Sequence, residues 1–148
     1  MLSAPLHGWT TLSLGGQEYE VSYLVDIPFE WLIACKTALT HNIPASFFME
    51  LEGEHCLLTS YQSATHIIHC DHEDVYTLHT IEDVDVLALS RMLVHDIRAY
   101  FDEWVKWYPF EETDEDLIRR RAALTTLLAE TEAAITAAEE RRRPHPPQ

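Results

Sequence analysis

The chain has 148 residues and a formal net charge of -15 at pH 7 with histidine counted as neutral. Its length fits one domain with a small appendage, and its 47% apolar content predicts a globular core rather than an acidic disordered chain. The negative charge argues against direct binding to nucleic-acid phosphates or anionic lipid, and it favours a basic partner.

The composition predicts a cytoplasmic protein. The first ten residues lack the basic start and apolar run of a secretory signal. No stretch approaches the roughly 18 apolar residues of a membrane span. The three cysteines, Cys35, Cys56 and Cys70, form no CxxC pair and no even disulfide framework, so we expect reduced thiols.

The first 40 residues predict a β-hairpin followed by a helix. Two strands, 9–14 and 17–25, flank a Gly-Gly pair that can adopt the positive φ angles of a two-residue turn. Pro28 suits the first position of a helix because its missing N–H would be unpaired there. Apolar residues surround nearly all of this helix up to Thr40, so we expect it to be mostly buried.

Four short runs then predict strands separated by tight turns, as in an antiparallel meander: 46–52, 55–61, 65–70 and 75–81. A second long helix is predicted over 82–108, where apolar residues recur in steps of three or four and Pro109 ends the pattern. The predicted fold class is α+β, with the element order ββ-α-βββ-α. This order includes only three of the four strand runs that follow the first helix. The predicted fold has a single antiparallel sheet with helices on one face, plus a long C-terminal helix.

The C-terminal segment differs in composition from the rest. We divide the chain into an acidic α+β domain, 1–110, and a C-terminal amphipathic helix with a short disordered tail, 111–148. Thr113 followed by three acids is a strong helix start, and no Gly or Pro interrupts the segment up to Arg143. Heptad-like spacing predicts an oligomerisation face, and a possible homodimer, through Leu117, Leu124, Leu128 and Ile135.

Motifs for chemistry are weak. The Gly-Gly pair is not a phosphate loop, because it joins two strands, and no hydrolase signature is present. Cys56 or Cys70 beside a histidine is the arrangement that nucleophilic catalysis would use, but nothing local singles either out. His66, Cys70 and His72 are metal-ligand types, although a strand separates i and i+4 by roughly 13 Å. We predict no catalytic residue, no metal ligand and no cofactor.

The acidic residues carry more information. Residues 1–110 hold 16 acids against four bases, so most of the net charge belongs to the predicted α+β domain. Strand alternation places the acids of 17–25 and of 46–52 opposite apolar faces, and one sheet would bring them to one outer surface. Clustered like charges are destabilising, which suggests a use beyond folding. The predicted partner-binding set is Glu18, Glu20, Phe48, Glu50, Glu52, Glu54, Asp71 and Asp74.

These observations favour a small acidic protein-binding protein over an enzyme. We expect a stoichiometric inhibitor, or an immunity or anti-defence factor, that binds a basic protein, including one that itself binds nucleic acid, by complementary charge. A rigid array of carboxylates can also imitate nucleic-acid phosphates. Two alternatives stay open: a subunit of a homo- or hetero-oligomer joined through the C-terminal helix, and a metal-binding protein using the cluster from His66 to His72.

Overall fold

The computed structural model describes residues 1–107 and 113–143. Its elements, in chain order, are β1 (Trp9–Leu14), β2 (Gln17–Ser22), α1 (Ile27–His41), β3 (Ala45–Glu50), β4 (His55–Ser60), β5 (Thr65–Cys70), β6 (Tyr76–Ile81), α2 (Val86–Ala99), α3 (Phe101–Val105) and α4 (Asp114–Arg142). The α+β class and the long C-terminal helix are therefore confirmed. All four strand runs after the first helix are present, one more than the order ββ-α-βββ-α counts.

The strands form two antiparallel sheets instead of the single sheet expected. One sheet is the hairpin β1-β2, and the other is the meander β3-β4-β5-β6. The hairpin approaches the second sheet through side chains rather than through strand pairing. The Tyr19 ring meets the His69 ring edge-on, with centroids 6.4 Å apart. At the hairpin tip, a Cβ on Gly15 would lie 2.5 Å from Ile81 Cγ1, so this close approach requires glycine.

Helix α1 joins the four-stranded sheet to the other helices. The Trp31 ring stacks on Phe47 with centroids 4.5 Å apart, and Trp31 Nε1 donates a hydrogen bond to the Phe48 carbonyl at 3.0 Å. Helices α2 and α4 pack against α1 as well. The expectation that α1 is mostly buried is met in part: seven of its residues are buried, most of them in one core with α2 and α4, but Ile33 is 48% exposed.

The second predicted helix, 82–108, is wrong in its extent. Helix α2 begins after Asp85, whose carboxylate caps it by accepting the Ala88 N–H at 2.8 Å. The helix breaks at Tyr100, and the short α3 follows. The break redirects the chain so that Trp107 is buried and its Nε1 donates to the Val25 carbonyl at 2.8 Å. The predicted end at Tyr108 and Pro109 lies outside the described residues.

Helix α4 begins as its sequence predicts. The Thr113 hydroxyl accepts the Asp116 N–H, and the Asp116 carboxylate accepts the Thr113 N–H, which is a complete capping box. Arg120 fixes the near end of the helix through two hydrogen bonds to Asp26, at 2.9 and 2.7 Å, and one to the Val105 carbonyl. The expected disordered tail falls on 144–148, outside the described residues.

Within residues 1–107 and 113–143, every helix falls short of the combined length and apolar character that a bilayer crossing requires.

The capping box yields a stability prediction. Thr113→Ala removes the hydroxyl that satisfies an orphan backbone N–H of α4, and we expect the free energy of unfolding to fall by about 1 kcal/mol. Urea unfolding followed by circular dichroism measures the loss. Thr136→Ala is the matched control, because this exposed mid-helix hydroxyl only bonds the Glu132 carbonyl of its own helix. Equal effects of the two substitutions would contradict a capping role.

Candidate functional site

Within the described ranges 1–107 and 113–143, no helix covers one face of the four-stranded sheet. Phe47, Met49, Leu58 and Ile67 point to the buried side, toward α1, and the intervening residues point away from it. We call the uncovered side the outer face. It is a regular surface, because the three strand pairs from β3 to β6 keep an unbroken antiparallel register.

A row of apolar side chains crosses the middle of the outer face. Phe48 pairs with Leu57, Leu57 with Ile68, and Ile68 with Leu78, so the four side chains lie side by side across the sheet. Phe48 is 56% exposed, Ile68 41% and Leu78 67%, while Leu57 is half-buried. We call this the apolar row. Contiguous exposed apolar surface of this kind marks interaction sites in proteins.

Rows that contain polar side chains lie on both sides of the apolar row. On one side, Ser46 and Thr59 are joined through their hydroxyls at 3.0 Å, and His66 Nδ1 lies 3.0 Å from Thr80 Oγ1. The row on the other side is mixed: it begins with the polar Glu50 and His55 and continues through the buried Cys70 to the exposed Tyr76. The outer face therefore has an apolar centre and a mostly polar rim, which is the usual anatomy of a protein-binding surface.

The row containing Glu50 leads into two acidic turns. The turns β3–β4 (51–54) and β5–β6 (71–75) lie at the same end of the sheet because the strands form a meander. Glu54 links them: its carboxylate lies 3.1 Å from His72 Nδ1 and 2.7 Å from His69 Nε2. These hydrogen bonds, with that from His72 the stronger influence, lower the pKa of Glu54.

The second turn is also organised around a carboxylate. Asp71 accepts the backbone N–H groups of Val75 at 3.0 Å and of Glu73 at 2.9 Å. These bonds, with that from Val75 the stronger influence, lower the pKa of Asp71. Asp71 thus presents fixed negative charge at this end of the sheet, whereas the Glu54 carboxylate is turned toward the hairpin side, where it lines a cleft with His69.

Positive charge is confined to the other side of the molecule. Residues 1–35 and 37–90 contain no lysine or arginine. In the part of the chain that the structure describes, seven bases form ion pairs with acids that lie outside the two turns: Lys36–Glu130, Arg91–Glu139, Arg98–Glu132, Arg119–Glu115, Arg120–Asp26, Arg121–Asp102 and Arg142–Asp85. The charge of the helices is largely balanced within the helical layer, whereas the two acidic turns pair only with histidines in the ranges described.

The structure brings together six of the eight predicted partner-binding residues. Phe48 and Glu50 lie on the outer face, and the other four lie in the adjoining turns: Glu52, Glu54, Asp71 and Asp74. Glu18 and Glu20 are on β2, in the other sheet, so the expected single acidic surface is not formed. Glu18 lines a cleft of about 370 Å³ between the hairpin and the sheet, and Glu54 lines the same cleft.

Sequence reasoning missed most of the apolar row. Leu57 is followed by the buried Leu58, and Ile68 is preceded by the buried Ile67. Consecutive apolar residues in a strand point to both faces, so each pair signals an apolar outer position. That the outer members form one line with Phe48 and Leu78 depends on the register between strands.

The described residues bring together no group of three or more His, Cys, Asp or Glu side chains able to hold a metal ion. His66 contacts Thr80, and His72 contacts Glu54 on the other side of a turn. Cys70, between them in the chain, is buried. The three metal-ligand candidates therefore do not converge.

The cysteine nucleophile considered from the sequence is poorly placed for chemistry. Cys56 is fully enclosed, and burial together with the nearby Glu54 carboxylate raises the pKa of its thiol to about 12. A thiol with this pKa is protonated at neutral pH and is a poor nucleophile. Burial likewise raises the pKa of Cys35 to about 12.

The residues assigned to oligomerisation lie against the chain's own core. Leu124, Leu128 and Ile135 are buried among α1, α2 and α4, and Leu117 is half-buried at the margin of the same core. Self-assembly through these positions would require α4 to leave the surface that it covers. By contrast, Ile118 is 68% exposed.

Comparisons of the chain with protein-family models, with curated proteins and with solved structures find no match. Function therefore has to be argued from the geometry and chemistry of the chain itself. The outer face, with its apolar row and adjoining acidic turns, is therefore the candidate binding surface.

Substitutions in α4 test whether its apolar side chains belong to the core of one chain or to an interface between chains. Leu124→Ala opens a cavity in a fully buried position, and we expect the free energy of unfolding to fall by about 2–5 kcal/mol. Light scattering should show an unchanged mass. The control Ile118→Ala should stay within about 0.5 kcal/mol of the native chain. A drop in mass on Leu124→Ala, with little loss of stability, would instead assign this face to assembly.

The Glu54 contacts predict a pH effect. Because the pKa of Glu54 is lowered on folding, its ionised form stabilises the fold above its ordinary value of 4.5, and this contribution is lost as pH falls through the lowered value. We expect Glu54→Gln to lower the urea midpoint of unfolding above pH 4.5. In more acidic solution the midpoints of the variant and the native chain should become equal. Glu52→Gln, in the same turn, is the control. A Glu54 carboxyl that titrates at or above 4.5 in NMR spectra would contradict this account.

Proposed function

We propose that this chain is a protein-binding protein that uses the outer face of its four-stranded sheet to hold a basic partner. The observation that carries the proposal is the apolar row, exposed on a regular sheet face and bordered at one end by the two acidic turns. Exposed Phe and Leu side chains in one line lower the solubility of a protein. Their burial under a partner makes the free energy of binding more favourable.

The two parts of the surface would serve different steps of binding. The apolar row, with Phe48 at one end and Leu78 at the other, supplies the area whose burial holds the complex together. The carboxylates of the turns attract a basic surface over a distance, which raises the association rate and selects against acidic partners. Such binding needs no chemical step.

A stoichiometric inhibitor, immunity protein or anti-defence factor fits this division of roles. These proteins act by occupying a partner's surface. The turn carboxylates, held in place by histidines and backbone N–H groups, form a rigid array that suits a groove built for nucleic-acid phosphates. The three free, buried cysteines are in keeping with the cytoplasmic location that we propose.

Comparative affinity capture from an extract of the producing organism tests the apolar row. Phe48→Ser combined with Ile68→Ser removes half of the row at exposed positions, so the fold should be retained. We expect the specifically bound protein to be lost with this variant and kept with the control Ile118→Ser. The captured protein should carry a basic surface. Equal capture by the native chain and by the variant with the substituted row, or a captured protein with an acidic surface, would overturn the proposal.

The same partner, once purified, tests the acidic turns. Glu50→Lys with Glu52→Lys should slow association by about tenfold or more at low salt and flatten its salt dependence. Glu103→Lys with Glu140→Lys makes the same change in net charge at exposed helical positions and should have a much smaller effect. Equal effects of the two pairs would show that net charge, rather than this surface, controls association.

A further inference from the structure

Strand β6 is an exposed edge of the four-stranded sheet. In the described part of the chain it pairs with β5 and with no other strand. Its six residues, Tyr76–Ile81, include no Lys, Asp, Glu or Pro, and its register has no bulge. Proteins usually protect such edges with charges, prolines, bulges or a covering segment. Tyr76 and Leu78 are 66% and 67% exposed, so the outer side of β6 is open, while the tip of the β1-β2 hairpin contacts its other side at His79 and Ile81.

The other edge of the sheet is different. Strand β3 lies beside α1, and the Trp31 indole N–H binds the Phe48 carbonyl. Strand β3 also ends in Glu50. Of the two edges, only β6 offers a neutral, regular strand to an incoming chain.

The cleft beside β6 adds an acidic lining on the opposite side of the same strand. It has a volume of about 370 Å³ and lies between the hairpin and the sheet, next to Thr77 and His79. Glu18 and Glu54 also line it. Side chains of a strand added beside β6 would alternate between this cleft and the outer face, since successive residues of a strand point in opposite directions.

We propose that β6 binds an extended segment of the partner, which joins the sheet as a fifth strand. The segment has alternating apolar and basic residues: its apolar side chains extend the apolar row beyond Leu78, and its basic side chains enter the cleft toward Glu18 and Glu54. Backbone hydrogen bonds to β6 supply affinity, and the alternation supplies specificity. This inference rests on the proposed function, because it names the part of the basic partner that is held.

The charges at the ends of β6 favour a basic segment over a second copy of this chain. Asp74 precedes the strand, and Glu82 and Asp83 follow it. In an antiparallel pair of two β6 strands, the acidic start of one would face the acidic end of the other. A basic segment meets opposite charge at both ends, whereas two chains that each carry a net charge of -15 repel each other.

A synthetic peptide tests the proposal directly. The probe is acetyl-Lys-Val-Lys-Val-Lys-Val-Lys-amide, and the control has the same composition with the valines grouped together. Amide NMR spectra of the full chain should shift at Tyr76–Ile81 on addition of the probe, and its affinity should exceed that of the control by about tenfold. Methylating alternate backbone nitrogens should abolish binding for one set of positions and spare it for the other, because only one edge of the peptide faces β6.

Protein variants locate the site. Leu78→Lys places a positive charge on the exposed edge and should weaken probe binding by about tenfold. Ile118→Lys makes the same change on α4 and should leave it unaltered. Phe48→Ser lies three strands away from the edge, so it should spare peptide binding even where it abolishes capture of the partner.

Four results would overturn the inference. Equal affinity for the probe and the control, or shifts confined to the acidic turns, would mean simple charge attraction. Concentration-dependent shifts of β6 without peptide would assign the edge to a second copy. If the peptide does not bind but capture of the partner still depends on the apolar row, only the edge proposal is wrong. If capture is unchanged when the apolar row is substituted, the proposed function is wrong.

Discussion

The enclosure of α1 is the constraint on which the rest of the structure depends. Most of the surface of this helix is apolar and has to be covered, although Ile33 is left 48% exposed. The four-stranded sheet covers one side through the stack of Trp31 on Phe47, and α2 and α4 cover other sides. All helices are thereby gathered on one face of the sheet, and the opposite face is left open to solvent. The candidate binding surface is a consequence of how α1 is buried.

The attachment of α4 also explains the distribution of charge. The helix is long and rich in Arg and Glu, and its ion pairs join it to α1, to α2 and to the segment before α1. Arg120 with Asp26 is the most enclosed of these pairs, and Arg120 also lies over the Phe29 ring. Exposed pairs such as Arg98 with Glu132 contribute little to stability individually. Together they neutralise the helical layer, so the net negative charge is left to the strands and their turns.

The open face then combines two features that folding alone does not require. The apolar row places large side chains in water, and the acidic turns concentrate like charge at one end of the same sheet. Hydrogen bonds with histidines reduce that repulsion at Glu54, and hydrogen bonds from backbone N–H groups reduce it at Asp71. Both features gain free energy when a partner with an apolar, basic surface binds, and β6 offers the same partner an edge that is open on its outer side. We propose binding as the use that accounts for all of them together.

The sequence by itself determined the local structure. Alternation, the Gly-Gly turn and the helix start at Thr113 placed the strands, the hairpin and α4 within three residues of their observed bounds, because these signals act between near neighbours in the chain. The two sheets, the break at Tyr100 and the inward turn of Trp107 were decided only by tertiary structure, since each depends on contacts with distant residues such as Val25 and His69. The site divides in the same way. Phe48 and the acidic turns follow from the sequence, whereas the alignment of Leu57, Ile68 and Leu78 with Phe48, and the separation of Glu18 and Glu20 from that face, follow from strand register and sheet packing.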